Sequence, residues 1–197
     1  TQQNPSVGDP GNYALVVTNT ANGCSDQDDV LVDEDIAIPM AEAGLDLVLD
    51  CMSPNQAIDG SGSSTGPTIE YLWQGSGINS GNFNLISPMV SDSGVYVVTV
   101  TNSQNHCTAT DFVFVGLNAD LPVTSAGTDL TLSCALDTVQ LDGALSQAGA
   151  GIVYAWSGPG IVSGESALNS PNIFEPGDYT LTVTNTANGC SNTDLVT

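Results

Sequence analysis

The chain has 197 residues, 22 of them Asp or Glu and none Lys or Arg, for a formal net charge of −22 on a polypeptide only 11% charged. Without a cation it cannot neutralise phosphates, which excludes nucleic acid as a partner, and it lacks the basic residues that hold a protein against an anionic membrane surface. A hydrophobic share of 41%, with two Trp and five Tyr, separates it from disordered acidic chains, and no run reaches the roughly 18 apolar residues of a membrane span.

Taken in chain order, the same signals recur at a fixed spacing. Tyr13, Tyr96 and Tyr179 lie 83 residues apart; Cys24, Cys107 and Cys190 follow the same rule, as do Cys51 with Cys134 and Trp73 with Trp156. A period well above that of solenoid repeats implies that each unit is a small domain with its own core. The expected division is residues 1–35 as the C-terminal part of an incomplete module, 36–118 as a complete module and 119–197 as a near-complete one. Thr1-Gln2-Gln3 falls partway through a repeat, so the segment is expected to come from a longer polypeptide.

Within a unit, the spacing predicts a first strand over Ala43–Cys51 and its counterpart Ala126–Cys134, with Leu45, Leu47 and Leu49 on one face. Short strands follow at Ile58-Asp59-Gly60 and Leu141-Asp142-Gly143. The aromatic and β-branched runs Ile69–Trp73 and Val153–Trp156 read as central strands, each running into a glycine-rich turn. Gly94–Asn102 and Gly177–Asn185 alternate Tyr, Val or Leu with mainly Thr, the pattern of a half-buried antiparallel strand. A loop such as Ala187-Asn188-Gly189-Cys190 comes next, then a last strand beginning at Asp194, matched by Asp111 and Asp28. No helical periodicity is sustained. About seven short strands in each unit predict an all-β chain of tandem immunoglobulin-like β-sandwich modules. In that architecture Trp73 and Trp156 are core residues, and Tyr13, Tyr96 and Tyr179 fit a tyrosine corner that ties down a loop.

Five cysteines at repeated positions indicate an oxidising compartment. Pairing within a module joins Cys51 to Cys107 and Cys134 to Cys190 and leaves Cys24 over; the competing scheme joins Cys24 to Cys51 and Cys107 to Cys134 across module boundaries. The first is preferred, because a small domain gains most from its own staple. No Cys-x-x-Cys pair is present and there is one His, which argues against a metal held by these thiols.

The order Ala-Gly-x-Asp-Leu…Cys, Asp-Gly, Tyr-x-Trp, Pro-Gly-Asp-Tyr-Thr-Leu-Thr-Val-Thr-Asn and Asn-Gly-Cys resembles the PKD-like modules of very large Bacteroidota surface proteins, especially the repetitive gliding-motility adhesins. The resemblance spans all three units. It implies a cell-surface location, export by the type IX secretion route and assembly into long threads that touch the substratum. PKD-like modules also serve as spacers in secreted enzymes, so the alternative is a spacer or glycan-binding module of a glycan- or protein-degrading enzyme. The second unit departs from the pattern, with Asn105-His106-Cys107 in place of Asn-Gly-Cys.

Catalysis has little to stand on, since a Ser-His-Asp arrangement would need the solitary His106. Calcium is the better candidate ligand: Asp26, Asp28, Asp29 and Asp33, followed by Glu34 and Asp35, crowd the end of the first unit with the hard oxygen donors that Ca²⁺ takes. Against it, the second unit offers fewer acids there and no EF-hand spacing occurs. Asp137-Thr138-Val139 resembles the short Bacteroidota O-glycosylation signature, which makes Thr138 a candidate glycan acceptor. The expected role is therefore structural: a segment of an extracellular adhesin or filament whose partners are neighbouring modules of its own chain, with surface glycans or the substratum beyond them.

Overall fold

The computed structural model describes residues 3–78, 83–161 and 164–197. Strands β1 (Gly11–Thr18) and β2 (Ser25–Val32) form an antiparallel hairpin that pairs Tyr13 with Val30 and Leu15 with Asp28. Next come β3 (Leu47–Asp50), β4 (Gln56–Ala57), β5 (Ile69–Gln74), β6 (Met89–Val90), β7 (Gly94–Asn102) and β8 (Thr108–Asn118). They make a four-stranded sheet in the order β3-β8-β7-β5 and a two-stranded sheet β4-β6. The last stretch contains β9 (Val139–Gln140), β10 (Ile152–Ser157), β11 (Asn172–Ile173), β12 (Tyr179–Asn185) and β13 (Ser191–Val196), in sheets β10-β12-β13 and β9-β11. The described residues contain no helix, and the chain is an all-β protein.

Alternation explains the cores. On β7, Tyr96, Val98 and Val100 point inward and are fully buried, and across the pair so do Val113 and Val115 of β8. Leu49, Trp73 and Val90 from neighbouring strands and Ile58 from just past β4 close this core; Leu141, Trp156, Ile173, Tyr179, Leu181, Val183 and Val196 form its counterpart near the C-terminal end. Each fully buried aliphatic contributes about 1.5–3 kcal/mol of transfer free energy. In the β1–β2 hairpin the face of Tyr13, Leu15, Val17 and Val30 corresponds to the inner face of β7–β8, yet Leu15, Val17 and Val30 are exposed.

The first predicted strand is shorter than the alternation suggested. Only Leu47–Asp50 is a strand, Leu45 is 90% exposed, and no strand spans Ala126–Cys134, where Ser133 bridges to Leu136 instead. Gly44 and Gly127 take φ of 79° and 85°, and a Cβ at either would press on the carbonyl of Asp59 or Asp142. That left-handed kink breaks the predicted run near its start. The short second strand lies at Gln56–Ala57 and not at Ile58–Gly60, although Ile58 is core, and the last strands start three residues earlier than the spacing suggested, at Ser25, Thr108 and Ser191.

One strand pairing decides which loops share an end of the unit. β3 runs parallel to β8, with Asp50 opposite Asn118, so the end of β3 lies at the same end of its unit as the exit of β8. The loop Ser103–Cys107, between β7 and β8, sits at the opposite end, one β8 length of roughly 35 Å away at ~3.3 Å per residue.

Candidate functional site: a cross-linked joint between units

The chemistry of this chain concentrates where the ends of β3 and β8, on the first core, meet the loop before β13, on the second. A disulfide joins Cys51, just past β3, to Cys190, just before β13, across 139 residues of sequence. Four hydrogen bonds hold the same place. The backbone N–H of Cys51 donates to the carbonyl of Asn188 at 3.1 Å. The Asn188 Nδ2 donates to Asn118 Oδ1 at 3.0 Å and to the carbonyl of Asp120 at 3.1 Å, and its Oδ1 accepts the N–H of Cys190 at 3.0 Å. Asn188 and Cys190 are both fully buried, so this amide meets its hydrogen-bonding demand entirely within the joint. Gly189, at φ 69°, lies so close to Met52 that a Cβ would stand 2.1 Å from its Cγ.

The loop that carries Cys190 owes its shape to local sequence. The N–H of Gly189 donates to the carbonyl of Asn185 at 2.8 Å, that of Asn185 to the carbonyl of Cys190 at 2.9 Å, and Asn185 Oδ1 caps the N–H of Ala187 at 3.0 Å. The same three bonds close the loop from Asn102 to Cys107, through His106 and Gln104, and the loop from Asn19 to Cys24, through Gly23 and Ala21. His106 takes the left-handed position at φ 61° that glycine fills in the other two loops. Asn105 repeats the docking of Asn188: its Nδ2 donates to Asp35 Oδ1 and to the carbonyl of Ala37, both at 3.0 Å.

Pairing within a module is therefore corrected. Cys51 bonds to Cys190, and neither scheme read from the spacing contained that pair; Cys24, Cys107 and Cys134 are free thiols. The reason is strand polarity. With β3 parallel to β8, the two cysteines of one unit lie at its opposite ends, far beyond the ~7 Å that two Cα atoms allow for a bridge.

The aromatic candidates take structural places. Trp73 and Trp156 are buried and donate through Nε1 to the carbonyls of Leu85 at 3.0 Å and Asn169 at 3.3 Å. The hydroxyls of Tyr13, Tyr96 and Tyr179 each reach a carbonyl four residues upstream, at Asp9, Asp92 and Glu175, at 2.7, 2.6 and 2.5 Å. Tyr96 also meets Ser76 and Tyr179 meets Pro159. Burial raises the pKa of the Tyr96 and Tyr179 hydroxyls, and the nearby Asp92 and Glu175 carboxylates push the same way. The hydroxyl and backbone N–H of Ser61 hold the Asp59 carboxyl below its ordinary value.

Asp26, Asp28 and Asp29 lie on β2 and Asp33 just beyond it. Strand alternation sends Asp29 to the face opposite Asp26 and Asp28, and among the described residues no three His, Cys, Asp or Glu side chains gather as a metal site. The counterparts of Asp28 hold backbone instead: Asp111 Oδ2 accepts the N–H of Ala43, and Asp194 Oδ2 that of Ala126, each at 2.8 Å. Thr138 is exposed beside β9, its hydroxyl donating to Asp137 Oδ1 at 3.3 Å.

The chain matches no protein-family model and no curated protein. Among solved structures it is similar to the PKD domain of the KIAA 1837 protein, with 26% identity over 45% of this chain and 96% of that one, at a TM-score of 0.32. It is also similar to the EC1-4 domains of Drosophila N-cadherin, with 10% identity over 95% of this chain and 57% of that one, TM-score 0.38. A third similarity is to the titin domains Z1Z2 in complex with telethonin, with 15% identity over 83% and 96%, TM-score 0.32.

Proposed function

We propose that the chain is a structural segment of a long, repetitive extracellular adhesin or filament, divided into an incomplete module 1–35 and modules 36–118 and 119–197. It projects from the cell surface in adhesion or gliding, after export by a type IX route. The observation that carries this reading is the joint: a disulfide between the exposed Cys51 and the buried Cys190, seated beside Asn188, fixes one unit to the next. A spacer that only separates two domains needs no such fixation, whereas a projecting thread gains from every joint that cannot bend freely. The disulfide itself supports an oxidising, extracellular location. With 22 acids and no base, like-charged modules repel and resist clumping. Electron microscopy of the full-length protein, on cells and after shearing, tests the reading. Beaded threads hundreds of nanometres long are expected; compact particles with a few beads attached to a catalytic domain would replace it with the enzyme-spacer alternative.

A further inference from the structure

We infer that Cys107 and Cys134 are the two halves of further joints of the Cys51–Cys190 kind, so that every unit is disulfide-bonded to the unit before it and to the unit after it, and never to itself. Cys134 would take the loop cysteine of a following copy of the 83-residue unit. Cys107 would take the cysteine that follows the first strand of a preceding copy.

Both halves are already shaped for it. On the donor side, the loop from Asn102 to Cys107 has the hydrogen bonds of the bonded loop from Asn185 to Cys190, and Asn105 is docked on Asp35 and Ala37 as Asn188 is docked on Asn118 and Asp120. On the acceptor side, the turn that presents Cys51 is closed by the N–H of Asp50 donating to the carbonyl of Ser53 at 3.3 Å. The turn that presents Cys134 is closed by the equivalent bond, Ser133 to Leu136, at 3.0 Å. Cys190 in its joint is fully buried while its counterpart Cys107 is half-buried, as expected of a loop that another unit would cover; on the acceptor side Cys134 is exposed, as Cys51 is even in the formed joint. The occupant is a copy of this same unit, because the established interface supplies the complementary surface and lies on the same repeat register.

The loop position packed against Met52 sets which units match. Gly189 leaves no room for a side chain there, while His106 occupies that position in the second unit. The preceding unit should therefore carry a small residue after its cysteine, as Ala135 stands after Cys134.

Each bond forms from two thiols. Their two protons and two electrons pass to a disulfide oxidant, either an oxidised dithiol oxidoreductase or a low-molecular-weight disulfide, which leaves as two thiols.

The test adds one unit in register. The segment Val115–Thr197, carrying Cys134→Ser and the mass tag Ala187→Val in the added copy only, is fused directly after Thr197, the protein is refolded in glutathione buffer, and disulfides are mapped by mass spectrometry after cleavage at Asp and Glu. Cys134 should be bonded to the loop cysteine of the appended segment, and its alkylation should slow about tenfold or more relative to the 197-residue chain. Cys134 bonded to Cys190 of its own unit, or alkylated as fast as before, would overturn the inference. So would a Cys51→Ser chain in which Cys190 turns to Cys134. A measurement independent of the fusion uses the 197-residue chain alone with oxidised glutathione. Chain-to-chain links should favour Cys134 with Cys24 over like-with-like pairs, and links in statistical proportion would also sink it.

Discussion

Asp111 Oδ2 accepts the backbone N–H of Ala43 at 2.8 Å, and Ala43 is fully buried, so a side chain on one of the last strands fixes the start of its unit. Removing the carboxylate leaves a buried donor without a partner. Asp111→Ala should cost about 1.5–3 kcal/mol, and Asp111→Asn about half of that, in urea denaturation followed by Trp fluorescence. Loss below about 0.5 kcal/mol for the alanine variant would mean that water replaces the carboxylate.

Gly189 is the tightest fit at the joint, while Gly23 has no atom within 4 Å of where a Cβ would stand. Gly189→Ala should lower the share of molecules oxidised at Cys51–Cys190 in a glutathione redox series by about tenfold, and Met52→Ala should restore most of it. Gly23→Ala should cost only the left-handed backbone term, about 1 kcal/mol. For the same reason His106→Gly should stabilise the chain by about 1 kcal/mol in thermal unfolding.

Tyr96 and Tyr179 have hydroxyl pKa values raised above the ordinary one by burial and by Asp92 and Glu175. A raised folded value favours the neutral hydroxyl, so this stability is fully present below the unfolded value of about 10 and is lost as pH rises from there through the folded value. Urea midpoints should therefore fall above about pH 10. A Tyr96→Phe, Tyr179→Phe chain should lose that alkaline dependence while starting about 1–2 kcal/mol per site less stable at neutral pH.

With no Lys or Arg, nearly every long-range charge interaction here is a repulsion. Raising NaCl from about 10 to about 150 mM, which shortens the screening length from about 30 to about 8 Å, should raise the melting temperature. Added EDTA should leave it unchanged. A fall of several degrees with EDTA would place a divalent cation among Asp26, Asp28, Asp29 and Asp33.

Much of this structure is written locally in the residues. The Tyr-Val-Val and Tyr-Leu-Val alternations of β7 and β12 declare their buried faces, and the acidic-x-Gly-x-Tyr spacing declares the corner hydroxyls, because both depend on neighbours within a few positions. The cysteine pairing does not. It turns on β3 lying parallel and not antiparallel to β8, a relation between segments some 68 residues apart that no local pattern encodes. The Asn two residues before each loop cysteine is a legible signal of the docked loop: Asn22, Asn105 and Asn188 cap that cysteine's N–H. The kinks at Gly44 and Gly127 also look like strand in a period-2 reading, since a single left-handed residue leaves the alternation of its neighbours intact.

Pulled from its two ends, the chain would not extend along its backbone. Tension entering at the N-terminal side reaches Cys51, crosses the sulfur bridge and leaves through Cys190, so the 139-residue span between them is shielded from the force. At ~3.3–3.6 Å per extended residue this is roughly 45–50 nm of hidden length. Single-molecule stretching should release it only in the presence of a reductant. Both cores lie mostly inside the shielded span, so a mechanical pull meets a covalent tether before it can unravel either of them.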